Sequence, residues 1–140
     1  MVNHVLVPMD DSPLAERALE FVLEVHPDAE LTVLRVIDYV EESYGAEILV
    51  GPETIRQRAA DKAEELFDEV RERAADHGEE MRTVTEFGKP SRVIPEYAAE
   101  HDVDLIVMGC HGRSLLSRVL LGDVAQTVVR EAPVPVTVVR

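Results

Sequence analysis

The chain is 140 residues long, carries 28 acids against 14 bases and has a formal net charge of −14 at neutral pH. That length suits one domain, residues 1–140, burying about two thirds of the surface its unfolded form exposes. The charge disfavours nucleic acid and anionic membranes, which need clustered Lys and Arg. No apolar run reaches the roughly 18 residues of a membrane span, and "MVNHVLVPMDDSP" breaks too early for a signal peptide, so a soluble cytoplasmic protein is expected.

The first predicted strand, "HVLVPM", runs into "DDSPLAERALEFVLEV", where Ser12 can cap a helix and Pro13 suits its first position. Ala15, Ala18, Leu19, Val22 and Leu23 share one face of that helix. "PDAE" ends it and "LTVLRVI" reads as a second strand. The stretch from Asp38 to Pro52 is a long strand-to-helix connection. From Glu53 to His77, Ile55, Ala59, Leu66, Phe67, Val70 and Ala74 recur at helical spacing, with Glu69 set to pair with Arg73 and Gly78 set to end the helix.

"MRTVTEF" alternates as a third strand, "GKP" turns the chain, and Ser91 to His101 reads as a short helix that tolerates Pro95 only in its first turn. "VDLIVMG" is almost wholly apolar, as strands are when both sheet faces are covered, and is expected to be central. A helix from about Asp123 to Glu131 leads through "APVP" to a last strand, "VTVVR". This alternation predicts an α/β fold: a parallel sheet with helices on both faces.

Open α/β sheets bind ligands beyond the carboxyl ends of their strands, where strand order reverses. Asp10 and Asp11 follow the first strand. Asp10 can accept hydrogen bonds from a ribose or an adenine amine or help hold a cation; alternatively, both acids only shape the turn into the helix. "GCHGR" follows the fourth strand, where Gly109 and Gly112 let the backbone turn and bring N–H groups near an anion. Gly122 opens the next helix, whose positive end can face the same anion, and Arg113 can reach a terminal phosphate. The spacing is neither a Walker A loop nor a Rossmann fingerprint. Cys110, the lone cysteine, precludes an intrachain disulfide and reads as a small buried filler. Of the five histidines only His111 falls in this region, and no nucleophile and base stand at fixed spacing.

The pattern G-x2-G-x9-G in "GCHGRSLLSRVLLGDVAQTVVREAPVPVTVV", with "HVLVPMDDS" and "LTVLRVID", resembles the universal stress protein (UspA) family over essentially the whole chain. The resemblance implies a single doubly wound five-stranded parallel sheet of order 3-2-1-4-5, and a homodimer paired through the C-terminal strand "VPVTVVR". It also implies an adenine nucleotide, ATP or AMP, held as a regulatory ligand. By residue matching, Asp10 would contact the adenosine part and Val36 would line the adenine pocket. Gly109, His111, Gly112, Arg113, Gly122, Asp123 and Val124 would hold the phosphates, His111 and Val124 chiefly through backbone N–H groups.

Asp123 departs from the family pattern, which has Ser or Thr after the third glycine. An ionised Asp donates no proton, and at about 4 Å it repels a phosphate charge by roughly 4 kcal/mol at an effective dielectric near 20. Mg²⁺ or Mn²⁺ bridging Asp123 to the phosphates would relieve this, as would a ligand with fewer phosphates. Otherwise the acid only complements the helix dipole. Three functions follow: a stress-response protein regulated by an adenine nucleotide, a nucleotide-free adaptor or chaperone-like protein, and, least supported, a slow ATPase or nucleotidase. The acidic, lysine-poor composition, with Lys62 and Lys89 the only lysines, resembles that of proteins from halophiles.

Overall fold

The computed structural model describes residues 2–10, 13–38, 51–75, 77, 81–109 and 123–140. In chain order the elements are β1 (His4–Pro8), α1 (Pro13–Val25), β2 (Glu30–Ile37), α2 (Pro52–Arg73), β3 (Met81–Phe87), α3 (Pro90–Glu100), β4 (Leu105–Gly109), α4 (Asp123–Glu131) and β5 (Val136–Val139). All neighbouring strands are parallel, in the order β3-β2-β1-β4-β5. The expected doubly wound sheet is therefore the fold.

Each inner strand is apolar on both sides because each side meets helices. On one face Val5, Val7, Leu31, Val33, Leu105 and Val107 pack against Ala15, Ala18, Leu19 and Val22 of α1 and Ala59, Ala63, Phe67 and Val70 of α2. On the other, Leu6, Leu34, Val36, Ile106 and Met108 meet Val93, Ile94, Tyr97 and Ala98 of α3 and Ala125 and Val128 of α4. The two residue sets alternate along each strand, as a period of two requires. At the edges, β3 and β5 are only partly covered. The "VDLIVMG" segment supplies an inner strand, but the middle place belongs to β1.

The amino ends of the inner strands are tied by polar groups. Asp104 Oδ2 accepts the backbone N–H groups of Asn3 and His4 at 3.0 and 2.9 Å. His4 Nε2 and the Thr32 hydroxyl form a buried hydrogen bond of 2.7 Å. These bonds fix the register of β1 against its neighbours at the end of the sheet away from the strand-end loops.

Three local expectations need correction. The long helix stops at Arg73, not His77: Ala74 and Ala75 turn, and His77 Nε2 bonds to the Ala29 carbonyl at 2.9 Å, drawing the chain back towards the start of β2. Gly78 lies outside the described residues. Arg73 reaches across to Glu20 and Glu16 of α1 at 3.0 and 3.4 Å, so it serves an interhelical ion pair where an intrahelical one with Glu69 was expected. Pro95 sits in the second turn of α3, because Pro90 already occupies the helix start. There it removes the bond that the Ser91 carbonyl would accept, while its ring joins the buried face.

Two aromatic contacts complete the α3 layer. Tyr97 stacks on the His101 ring with centroids 3.8 Å apart, and His101 Nδ1 bonds to the Tyr97 carbonyl at 3.0 Å. Burial pushes the Tyr97 hydroxyl above the usual tyrosine pKa; Arg82 opposes the shift and Glu86 adds to it.

Candidate functional site

The site is set by how the ladders end. β1 keeps its pairing with β2 up to Pro8 opposite Leu34, and the Met9 N–H then donates to the Leu34 carbonyl at 2.8 Å. β4 stays with β5 up to Gly109 opposite Val139. Between β1 and β4, however, the ladder holds only Val5 with Leu105 and Leu6 with Ile106. β1 and β4 are where the strand order reverses, the switch point beyond whose carboxyl ends doubly wound sheets take ligands. Asp10 stands at the end of the β1 side and Gly109 at the end of the β4 side.

Of the residues singled out from sequence, five fall among those described. Asp10 is half-buried two residues past β1, and Gly109 is buried at the last position of β4. Val36 is buried near the end of β2, on the face covered by α3 and α4. Asp123 is exposed at the first position of α4, and its carbonyl accepts the Thr127 hydroxyl at 3.1 Å. Val124 is half-buried and packs on the same core cluster as Val36. His111, Gly112, Arg113 and Gly122, together with Cys110, lie outside the described residues, as does most of the Asp38–Pro52 connection.

The structure explains Gly109 differently from the sequence. Its φ is not in the left-handed region, unlike that of Gly88 at 144°. What it needs is space: a Cβ added at Gly109 would stand 2.7 Å from the backbone carbon and oxygen of Leu14 in the first turn of α1. Glycine lets a helix settle onto the end of the strand.

Two groups at the strand ends were not anticipated. Asp38, half-buried one residue past β2, is a second carboxylate on this rim. The Gly88 N–H donates to the Ile37 carbonyl at 2.9 Å, which ties the ends of β2 and β3 together and brings exposed Lys89 to the N-cap of α3. A cation there opposes the helix dipole, so Lys89 is not explained by α3's own stability. The signal in sequence was the G-K-P triplet, readable only as a turn. Among the described residues no three His, Cys, Asp or Glu side chains gather as a metal site, and no helix is long and apolar enough to cross a membrane.

Comparison with known proteins bears on this arrangement. The model of the universal stress protein family matches residues 1–140. A universal stress protein of Methanocaldococcus jannaschii is 31% identical over 142 residues, covering 100% of this chain and 83% of its own. The structure of the universal stress protein UspA from Lactobacillus plantarum superposes with a TM-score of 0.82 at 30% identity, covering 99% of this chain and 98% of that one. Two more distant structures share the fold. One is a universal stress protein in complex with cAMP, at 24% identity and a TM-score of 0.68 over 99% of this chain and 97% of that one. The other, from Arabidopsis thaliana with AMP bound, has 22% identity and a TM-score of 0.64 over 97% of this chain and 90% of that one. With the family model spanning every residue and the strand order agreeing, the chain belongs to the universal stress protein family.

Proposed function

We propose that this protein binds an adenine nucleotide, AMP or ATP, as a regulatory ligand in the crevice between β1 and β4. The observation that carries the reading is the switch point between β1 and β4, with the Asp10 carboxylate two residues past the end of one strand and Gly109 at the last position of the other. Family members of the same fold hold cAMP and AMP. Asp10 would accept hydrogen bonds from the ribose or the adenine amine, and Val36 would offer the base an apolar wall. The segment through His111, Gly112 and Arg113, with Gly122 and the start of α4 at Asp123 and Val124, would supply backbone N–H groups and a guanidinium to the phosphates. The role is regulatory binding in the cytoplasm, without turnover, within a homodimer paired through β5. That strand is apolar, partly uncovered and at the sheet edge, so a second copy would satisfy its open ladder.

Asp123 adapts this reading. Mg²⁺ fits only as a bridge, since Asp123 brings one exposed carboxylate and the phosphates would have to supply the remaining oxygens. When bound, the ion would turn repulsion into ligation. A second reading, a nucleotide-free adaptor, is favoured by the same acid, which stands where a hydroxyl donor would serve a phosphate. The test is calorimetry of the native protein with AMP and ATP, with and without Mg²⁺, alongside analysis of nucleotide released on denaturing the purified protein. Micromolar binding or a co-purified adenine nucleotide supports the first reading. No heat and no nucleotide leave the adaptor.

A further inference from the structure

We infer that Gly109 is a positioning residue, acting on the crevice through the first turn of α1 and not through contact with a phosphate. The inference rests on the nucleotide reading for its affinity test but has its own structural readout. Gly109 has a backbone conformation open to any residue, so the absent side chain is the only thing glycine contributes. The space where a Cβ would be is filled by Leu14: its backbone carbon and oxygen at 2.7 Å and its Cβ at 2.8 Å. Two of those three atoms belong to the helix backbone, whose carbonyl is engaged with the amide four residues on, so no rotamer change relieves the contact.

The seat is small-residue packing throughout. Ala15 and Ala18, 3% and 0% exposed, lay α1 directly on the sheet above Leu105 and Val107. One turn beyond Leu14, Arg17 donates to the Arg140 carbonyl at 3.0 Å, fastening the same helix to the end of β5. Asp10 precedes Pro13 by only two intervening residues. Displacing the first turn of α1 would therefore bear on Asp10 at the end of β1, across the switch point from Gly109. On this inference, the closeness of Leu14 to Gly109 sets the spacing between Gly109 and Asp10.

This assigns Gly109 a distinctive signature. A residue that serves phosphates matters in proportion to the phosphates present, whereas one that sets that spacing matters equally for adenosine, AMP and ATP. Calorimetry with those three ligands on the native protein, Gly109→Ala and Ala15→Val tests it, with amide exchange at Ala18 and Leu19 reporting on α1. Ala15→Val adds bulk to the buried face of α1 next to Leu14, in the core cluster that holds Leu105 and Val107, without altering Gly109 itself. Both variants should weaken all three ligands by about tenfold or more, keeping the ratio of ATP to adenosine affinity within about twofold of native, and should speed exchange in α1. If Gly109→Ala fails to fold, Ala15→Val carries the comparison. Loss confined to AMP and ATP, or native affinity in either variant, overturns the inference. If the native protein binds none of the three, the nucleotide reading falls, and exchange alone decides: α1 as protected in Gly109→Ala as in the native protein refutes the positioning role, and faster exchange supports it.

Discussion

Replacing Asp123 by Ser isolates the one residue that departs from the nucleotide-binding pattern. The size of the effect follows from its surroundings. Two charges about 4 Å apart interact by roughly 4 kcal/mol at an effective dielectric of 20 but by only about 1 kcal/mol in water. Asp123 is exposed at the first position of α4, so the lower figure governs. Removing it should raise affinity about fivefold for each phosphate charge that lies nearby, and leave adenosine unchanged. Against this, α4 loses an acid in its first turn, worth about 0.3 to 1 kcal/mol. Asp123→Ser should therefore bind AMP and ATP more tightly while melting slightly earlier. Calorimetry in Mg²⁺-free buffer at about 0.15 M and 1 M KCl checks the electrostatic origin, because the screening length falls from about 8 to 3 Å and most of the gain should vanish. An equal gain for adenosine, or no gain for ATP at the lower salt, would refute the reasoning. A native affinity that depends on Mg²⁺ and weakens in Asp123→Ser would show that the carboxylate ligates the ion.

Two further outcomes test the scaffold. Phe67, 1% exposed, fills the layer between α2 and the sheet, so Phe67→Ala should cost about 3 to 5 kcal/mol in chemical denaturation; a loss below about 1 kcal/mol would mean that α2 does not pack as described. Tyr97 has a hydroxyl pKa raised by burial, so the folded state holds its proton more tightly than the unfolded one. Its contribution is complete below the ordinary tyrosine pKa, about 10, and is lost as pH rises through the higher folded value. Tyr97→Phe should flatten the fall in stability above that pH, and an unchanged slope would count against the assignment.

Much of the fold was legible because its signals are local and repeated. Apolar runs such as "LIVMG", too short for a core helix, read as strands covered on both faces, and Pro13 stands at a helix start, where a missing N–H costs nothing. The misreadings arose where a distant partner outweighs local pattern. Arg73 stands one turn from Glu69 in sequence, but α1 brings Glu16 and Glu20 within reach. Past the end of α2, His77 bonds to the Ala29 carbonyl across 48 residues, a contact of which periodicity holds no trace. Pro95 was expected only in a first turn because the loss of a helical bond was counted without the burial its ring gains.

The candidate site was legible in composition and less so in purpose. A glycine between a strand and a loop suggests conformational freedom when only the chain on either side is known. Gly109 does not use that freedom, since its backbone could be adopted by alanine and the obstacle is Leu14, 95 residues earlier in the chain. Leu14 and Gly109 thus pack as one unit although no short motif contains them. In a sheet whose ligand crevice lies between strands far apart in sequence, a glycine's lack of a side chain can shape the site by admitting a helix as well as by admitting an anion. Only the helix leaves a mark in backbone distances before any ligand is bound.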